Sequence, residues 1–310
     1  MLIKIPRGWE IPECEATPED IYLNRRTLLK AGGFLTMQGL LAAATDGKSP
    51  YPAKQNPEFT LDRPVTEEWA STGYNNFYEF NAENKQAVKD EVGKFITSPW
   101  KIQVSGLVAK PQTLDLDDLL KTFPLEERLY RHRCVEAWSM AVPWTGFPLA
   151  ELIKKLQPKP EAKFVRFITA KRPDQMPGIN RYNWYPWPYF EALRMDEAMN
   201  PLAFVVTGMY GKPVPKQNGA PIRIASPWKY GYKSPKSIER IEFVAEQPET
   251  FWHKLQPIEY GFYSNVNPNK PHPRWSQATE KVIPKMERRP TLAYNGYEKW
   301  VASMYTGKED

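Results

Sequence analysis

The residues best suited to chemistry in this 310-residue chain surround one cysteine. Cys134 stands in the stretch YRHRCVEAWSM, with basic residues before it and Glu136 after it. The chain has one other cysteine, Cys14, which precedes a stretch with the features of an export signal. If that leader is removed, Cys134 has no partner for a disulfide. Because a spare thiol is a liability where thiols oxidise, we expect Cys134 to have a chemical role.

Three roles are open for Cys134. It could pack in the core as a small apolar side chain, act as a nucleophile, or ligate a soft redox metal as a thiolate. Arg131, His132 and Arg133 favour a thiolate if their charges lie close to the sulfur. We expect His132 on the opposite face of the strand, which disfavours it as the base for a nucleophile. Metal ligation agrees best with an unpaired, exported cysteine because coordination protects the sulfur.

Several common catalytic motifs are absent from the sequence. The three histidines, His132, His253 and His272, form no HExxH motif, and no paired CxxC motif occurs. The chain also lacks a GxSxG motif, a Walker A loop and a GxGxxG motif after a strand. The sequence therefore disfavours a zinc hydrolase, a serine esterase, a kinase and a simple nicotinamide dehydrogenase.

Composition indicates a globular protein built from short elements. Hydrophobic residues make up 41% and charged residues 25% of the chain, and there are 31 prolines. Many prolines favour short elements joined by fixed turns over long helices. The net charge of +6 comes without a basic stripe, so it disfavours nucleic acid as a ligand. It suits an anionic ligand or a negatively charged membrane surface.

The N-terminal region predicts export. Arg25 and Arg26 precede a weakly hydrophobic run over residues 31–45 that ends in alanines and is too short to span a bilayer comfortably. We interpret residues 1–44 as a twin-arginine signal peptide, with an amphipathic N-terminal helix as the alternative. Because that pathway carries folded proteins, it indicates a cofactor inserted before export to the periplasm. Residues 45–74, rich in proline and polar groups, predict an extended N-terminal arm.

The rest of the chain predicts an α+β fold of mixed short strands and helices. The stretch over residues 100–123 predicts two strands and then a helix that begins near Asp115. The alternating stretch over 162–170 predicts a strand, and residues 202–210 form a buried apolar run. Residues 189–199 predict a helix, and residues 220–246 predict two strands around a basic loop.

Five motifs together resemble one family. They are NNFYEF, RCVEAWSMAVPWTGFPL, PKQNGAPIRI, PWKYGYKSPKSI and HPRWSQATE. In this order they resemble the catalytic subunits of periplasmic protein-methionine-sulfoxide reductases, which are molybdopterin enzymes of the sulfite oxidase superfamily. The resemblance covers nearly the whole chain. It implies a sulfite oxidase-type molybdopterin-binding fold, here in a catalytic domain over residues 75–310.

The same resemblance implies a molybdenum centre held by Cys134 and by one molybdopterin. It implies cofactor contacts at Asn75, Tyr78, Glu79, Cys134, Thr169, Asn218, Arg223, Ser234, Pro235 and Lys236. The residue types agree, since Arg223 and Lys236 can pair with the phosphate of the cofactor. Asn218 precedes a glycine in a turn that a ligand can approach closely. Turn structure or surface solvation is the alternative for each polar residue taken alone.

Glu136 marks a departure from sulfite oxidases, which generally follow their cysteine with a small residue, glycine, asparagine and arginine. This chain has CVEAWSM instead, without the arginine that would receive a sulfite dianion. Along a strand, Glu136 would point toward the same site as Cys134. We expect it to be catalytic, as a proton relay or in positioning the substrate. A purely structural hydrogen bond is the alternative.

The resemblance implies reduction of methionine sulfoxide, of either sulfur configuration, in exported proteins. It implies electrons from a membrane-embedded, quinol-linked haem b subunit of the MsrQ type, and the chain itself shows no haem or iron–sulfur ligand set. The loop YNWYPWPYF over residues 182–190 could hold a thioether or could be a stiff surface loop. Three alternatives stay open: a reductase of small S-oxides or N-oxides, a non-enzymatic exported peptide-binding protein, and a thiol enzyme.

Overall fold

Two β-sheets and eight short α-helices make up the part of the chain that the computed structural model describes, residues 49–305. The strands are β1 (Lys54–Gln55), β2 (Lys101–Gly106), β3 (Gln112–Asp115), β4 (Glu126–Arg133), β5 (Trp138–Pro148), β6 (Phe164–Thr169), β7 (Phe190–Arg194), β8 (Phe204–Met209), β9 (Lys212–Pro213), β10 (Arg223–Ala225), β11 (Ile238–Val244), β12 (Thr279–Val282) and β13 (Glu287–Pro290). The α-helices are α1 (Glu68–Gly73), α2 (Val88–Glu91), α3 (Leu116–Thr122), α4 (Leu149–Leu156), α5 (Pro177–Arg181), α6 (Met195–Ala198), α7 (Phe251–Leu255) and α8 (Glu298–Val301).

The larger sheet has β5 at its centre. This strand pairs antiparallel with β4 and β8 and parallel with β12, while β1, β9, β10 and β13 lie farther out. The smaller sheet has the order β3-β2-β11-β6-β7, with β11 parallel to β2. Mixed sheets with a few helices confirm the predicted α+β class. Between residues 49 and 305 no helix is both long and apolar enough to cross a membrane.

The hairpin of β4 and β5 determines where Cys134 lies. Every residue of β5 before Pro148 is buried, since the strand has neighbours on both sides. The register pairs Arg133 with Ser139, so residues 134–137 form the turn. Ala137 adopts φ 64° there, and its N–H donates to the carbonyl of Cys134 at 3.1 Å. Cys134 and Glu136 therefore lie on a tight turn rather than along a strand.

Several local predictions are confirmed by the structure. The helix α3 begins after Asp115, whose side chain accepts a hydrogen bond from the N–H of Asp117 at 2.9 Å. The alternating stretch is β6, and the buried apolar run is β8. The strands β10 and β11 flank the basic loop, as expected.

The predicted helix over residues 189–199 is wrong for its first half. Residues Phe190–Arg194 form β7, which pairs antiparallel with β6 and places Phe190 opposite Ile168. Only Met195–Ala198 is helical. Pairing with a neighbouring strand overrides the local helix propensity here, because it buries the apolar side chains of the segment.

The predicted arm lies partly within the described residues. There β1 adds parallel to β4, and α1 follows at Glu68–Gly73. Phe59 is buried and stacks on Trp300, with 5.6 Å between ring centroids. Residues from Pro50 onward belong to one compact unit. The domain boundary at residue 74 stays a prediction, and the predicted signal peptide over 1–44 lies outside the described residues.

Two buried ion pairs fix the loop between β10 and β11. Lys229 Nζ lies 2.6 Å from Glu197 Oε1, and Lys233 Nζ lies 2.6 Å from Glu191 Oε2. The hydroxyl of Tyr305 also donates to Glu197, at 2.6 Å. Since a buried charge without a partner is costly, these contacts hold both ends of each pair in place. The loop they hold leads directly into residues 234–236.

We expect Lys229→Met to lower the free energy of unfolding by about 3–5 kcal/mol, because it leaves Glu197 buried without its cation. Urea unfolding of the metal-free protein at pH 7 measures the change. The control is Lys212→Met, since Lys212 pairs with Glu68 at 2.9 Å on the surface. We expect the control to lose less than about 1 kcal/mol. Equal losses in the two variants would contradict a structural role for the buried pair.

Candidate active site

A cavity of about 830 Å³ opens beside the turn between β4 and β5. Its volume is in the range of small-molecule and cofactor sites. Nine predicted cofactor contacts line it: Asn75, Tyr78, Glu79, Cys134, Asn218, Arg223, Ser234, Pro235 and Lys236. Glu136 lines it as well, and Thr169 lies just behind the wall, with its hydroxyl 3.3 Å from Glu79 Oε1. The structure therefore brings all the predicted site residues together, although their roles stay predictions.

Cys134 is 6% exposed and faces this cavity. Its sulfur lies 3.4 Å from Asn76 Nδ2 and 3.4 Å from the backbone nitrogen of Glu136. Burial, together with the charge of Glu136, raises the pKa of the Cys134 thiol to about 12. Without a metal the side chain is therefore a neutral thiol at pH 7.

The sequence favoured a thiolate if the neighbouring charges lie close to the sulfur. Arg133 does lower the pKa of the Cys134 thiol, but burial and the charge of Glu136 raise it more. Arg131 pairs with Asp62. Arg133 is fully buried, donates to the carbonyl of Cys134, and lies 3.3 Å from Glu280 Oε2. Side chains next to each other in sequence diverge here because each finds its own buried partner.

The position of His132 is also corrected. We expected it on the opposite face from Cys134, but the side chain of His132 near the end of β4 and that of Cys134 in the following turn line the same cavity. Burial and the charges of Arg223 and Lys236 lower the pKa of His132 to about 3. A neutral thiol beside so weak a base is a poor nucleophile.

Two hydrogen-bond donors and one ammonium group contact a single oxygen of Glu136. Its Oε2 lies 3.1 Å from Asn76 Nδ2, 3.0 Å from Trp138 Nε1 and 3.1 Å from Lys85 Nζ. The same oxygen lies 3.9 Å from the sulfur of Cys134. The carboxylate is thus fixed at the edge of the cavity beside the cysteine.

One end of the cavity is cationic. Arg223 is buried and donates to the carbonyl of Asn218 at 2.8 Å, and Lys236 Nζ donates to the carbonyl of Asn76 at 2.8 Å. Within residues 49–305 neither forms a salt bridge with an acidic side chain. Gly219, at φ 104°, passes so close to Lys236 that an added Cβ would lie 2.8 Å from its side chain. This end suits an anionic group such as a phosphate.

Two groups at this end titrate near neutrality. Burial and the charge of Arg223 lower the pKa of Lys236 to about 7. Burial also raises the pKa of Glu79 to about 7. In both groups the effect of burial outweighs their mutual attraction, which lowers the pKa of Glu79 and raises that of Lys236. An anionic ligand would supply a further counter-charge for Lys236.

Aromatic side chains form much of the cavity lining. The loop over residues 182–190 contributes Trp184, Tyr185 and Tyr189 to the lining, and Tyr78 and Trp252 also belong to it. Tyr78 and Trp252 meet edge to face, with 5.0 Å between ring centroids. The sequence left open whether this loop is at the site, and the structure shows that it is.

Sequence reasoning missed Asn76, Lys85 and Trp252. Asn76 is part of the motif NNFYEF, in which the resemblance named only the neighbouring Asn75 as a cofactor contact. Lys85 and Trp252 carry no local signal, because each reaches the cavity only through the tertiary fold.

Comparison with known proteins identifies the family. A profile described as "Oxidoreductase molybdopterin binding domain" matches residues 89–252. The chain is 49% identical to the protein-methionine-sulfoxide reductase catalytic subunit MsrP of Burkholderia mallei, over 97% of this chain and 95% of that protein. It is 47% identical to the MsrP of Ralstonia nicotianae, over 100% and 98%. The chain belongs to the MsrP family.

The chain is therefore an oxidoreductase with a molybdopterin cofactor. The cavity fits that group, since it joins a buried thiol to the unpaired cations Arg223 and Lys236 at one end. The matched region includes Cys134 but not Asn75, Tyr78 or Glu79, which precede it.

A solved structure, that of the sulfane dehydrogenase SoxCD from Paracoccus pantotrophus, shows a weaker likeness. The TM-score is 0.44 and the identity 18%, over 64% of this chain and 46% of that one. A likeness of this size carries no argument about this member of the MsrP family.

We expect sulfate to stabilise the metal-free protein more at pH 6 than at pH 8. Below its pKa of about 7 Lys236 gains a positive charge, and Glu79 loses its negative charge over the same range, while sulfate does not titrate. The affinity should rise roughly tenfold between pH 8 and pH 6. The difference in melting temperature with and without sulfate, taken at pH 6 and at pH 8, measures this stabilisation.

The variant Lys236→Met supplies the control for this effect. It removes the group whose protonation attracts the anion, so most of the pH dependence should disappear. Stabilisation that is equal at both pH values, or unchanged in the variant, would show that sulfate binds elsewhere.

Proposed function

We propose that this enzyme reduces methionine sulfoxide in exported proteins, in either sulfur configuration, and that Cys134 ligates its molybdenum. The observation that carries the proposal is the buried Cys134 in one cavity with Arg223 and Lys236, which form no salt bridge within residues 49–305, and with several aromatic side chains. The relatives at 49% and 47% identity are named for this activity. The reaction consumes two electrons and two protons, leaves the thioether, and releases water.

Metal ligation explains a cysteine that is otherwise hard to account for. A buried thiol with a pKa near 12 and no disulfide partner within residues 49–305 is inert toward substrates. Coordination would deprotonate the sulfur, since a metal inverts the local preference for the neutral form. Asn76 Nδ2 and the N–H of Glu136 would then donate to the ligating sulfur.

The residues of the cavity account for the choice of a neutral sulfoxide. When bound, the cofactor supplies two-electron oxygen-atom transfer. Glu136 places a carboxylate beside Cys134, where it repels a sulfite dianion and accepts an uncharged sulfoxide. The rings of Tyr78, Tyr185 and Trp252 offer an apolar surface to the methyl thioether end of the substrate. His132 also lines the cavity and stays neutral at pH 7, since its pKa is lowered to about 3.

The electrons and the location follow from the same proposal. Outside the cytoplasm a soluble nicotinamide donor is absent, so we infer a membrane-embedded, quinol-linked haem b subunit as the partner. The relatives carry the name "catalytic subunit", which supports a separate donor. The adjacent Arg25 and Arg26 support export to the periplasm by the twin-arginine route.

We expect Cys134→Ser to lower methionine sulfoxide turnover by more than about a hundredfold, because it removes the ligand itself. About one molybdenum per wild-type chain, with an altered electron-spin signal in the variant, would support ligation. The melting temperature controls for folding. A wild-type protein that matures without molybdenum in a competent host, or a fully active variant, would refute the proposed ligand.

We expect Trp184→Ala to raise KM for oxidised protein about three- to tenfold and KM for free methionine sulfoxide less than about twofold. Trp184 lines the cavity yet is 68% exposed, so it can contact a polypeptide around the sulfoxide. Its loop is fixed by the indole of Trp187, which donates to the carbonyl of Tyr182 at 2.8 Å.

Trp69→Ala is the matched control, since Trp69 is also 68% exposed but does not line the cavity. Measuring both substrates side by side separates the alternatives. If the enzyme turns over only small S-oxides or N-oxides, the proposal that it repairs oxidised proteins is wrong, and the alternative of a small-oxide reductase is correct.

A further inference from the structure

Lys85 connects two parts of the cavity that are distant in sequence. It lies between α1 and α2, and its side chain lines the cavity. Its carbonyl accepts a hydrogen bond from the N–H of Asn75 at 3.1 Å. Its Nζ lies 3.1 Å from Glu136 Oε2. The backbone of Lys85 thus contacts Asn75, a predicted cofactor contact, and its ammonium contacts Glu136, the predicted catalytic carboxylate.

The pair of Lys85 and Glu136 differs from the surface ion pairs of this protein. Its side chains are 22% and 27% exposed, whereas those of Lys212 and Glu68 are 65% and 44% exposed. Partial burial reduces screening by water and salt, so the attraction is stronger. Burial lowers the pKa of Lys85 and the charge of Glu136 raises it, with a net rise above its ordinary value.

The contacts of Glu136 are one-sided. Asn76 and Trp138 donate hydrogen bonds to Oε2 and the ammonium of Lys85 pairs with the same oxygen, whereas within residues 49–305 no side chain donates a hydrogen bond to Oε1. Asn76 and Trp138 are neutral donors, so Lys85 supplies the charge in this contact. A carboxylate held by one oxygen in this way keeps the other oxygen available to a ligand in the cavity.

We propose that Lys85 is a positioning residue, whose ammonium holds Glu136 by Oε2 so that Oε1 can contact the sulfoxide or a proton-bearing water beside it. The inference rests on the proposed function and extends it by naming the group that orients the carboxylate. Lys85 acts through Glu136 and does not itself touch the reacting atoms. Its backbone contact with Asn75 is retained when only the side chain is changed.

A double-mutant cycle tests the proposal, with Lys85→Met, Glu136→Gln and the two changes combined. The measured quantities are kcat and KM for free methionine sulfoxide, per molybdenum bound. We expect Lys85→Met alone to lower kcat about tenfold and to change KM less than about threefold. In the Glu136→Gln background the same change should alter kcat by less than about twofold. Lys85→Arg, which keeps the charge, should recover most of the activity.

A spectroscopic readout separates this role from general structural support. In the molybdenum-loaded protein, Lys85→Met should shift the electron-spin signal in the same direction as Glu136→Gln, with an unchanged melting temperature. Lys212→Met, the exposed control, should leave both the signal and kcat unchanged. The proposal is overturned if Lys85→Met has its full effect without Glu136, or if it leaves kcat and the signal unchanged.

Failure of the proposed function would look different. If the wild-type protein does not turn over methionine sulfoxide at all, the substrate assignment is wrong. The spectroscopic comparison of Lys85→Met with Glu136→Gln then decides the positioning role without any substrate. Parallel shifts support it, and a shift in Glu136→Gln alone refutes it.

Discussion

The turn between β4 and β5 is the constraint on which the site depends. Arg133, fully buried at the end of β4, donates to the carbonyl of Cys134 and pairs with Glu280 on β12. The turn is thereby fixed to a neighbouring strand and cannot shift alone. Cys134 and Glu136 occupy this rigid turn, so their side chains reach the cavity in one defined arrangement. Buried polar contacts of this kind give a site precise geometry, since any departure leaves charges unpaired.

One end of the cavity has an excess of positive charge, which an anionic ligand would balance. Arg223 and Lys236 form no salt bridge with an acidic side chain in the described part of the chain, and burial together with repulsion by Arg223 lowers the pKa of Lys236. Burying cations in this way costs stability. An anionic cofactor would be bound more tightly because it relieves this repulsion.

The electrostatics of Cys134 distinguish metal ligation from thiol catalysis. A nucleophilic cysteine needs a low pKa or a competent base, and this chain has a thiol with a raised pKa beside His132, whose pKa is near 3. The same burial that disables the free thiol suits a ligand, because it keeps water from the sulfur. Aromatic rings in the cavity lining add apolar surface to the same site.

The sequence by itself determined the family, the α+β class, the importance of Cys134, and most short elements, such as β6, β8 and the helix after Asp115. These follow from motifs and from local patterns of apolar and capping residues. Only the tertiary structure decided that residues 190–194 form a strand and that His132 shares the cavity with Cys134. It alone brought Lys85 to Glu136, 51 positions along the chain. The physical reason is that strand pairing, burial and pKa depend on partners distant in sequence, which local patterns do not specify.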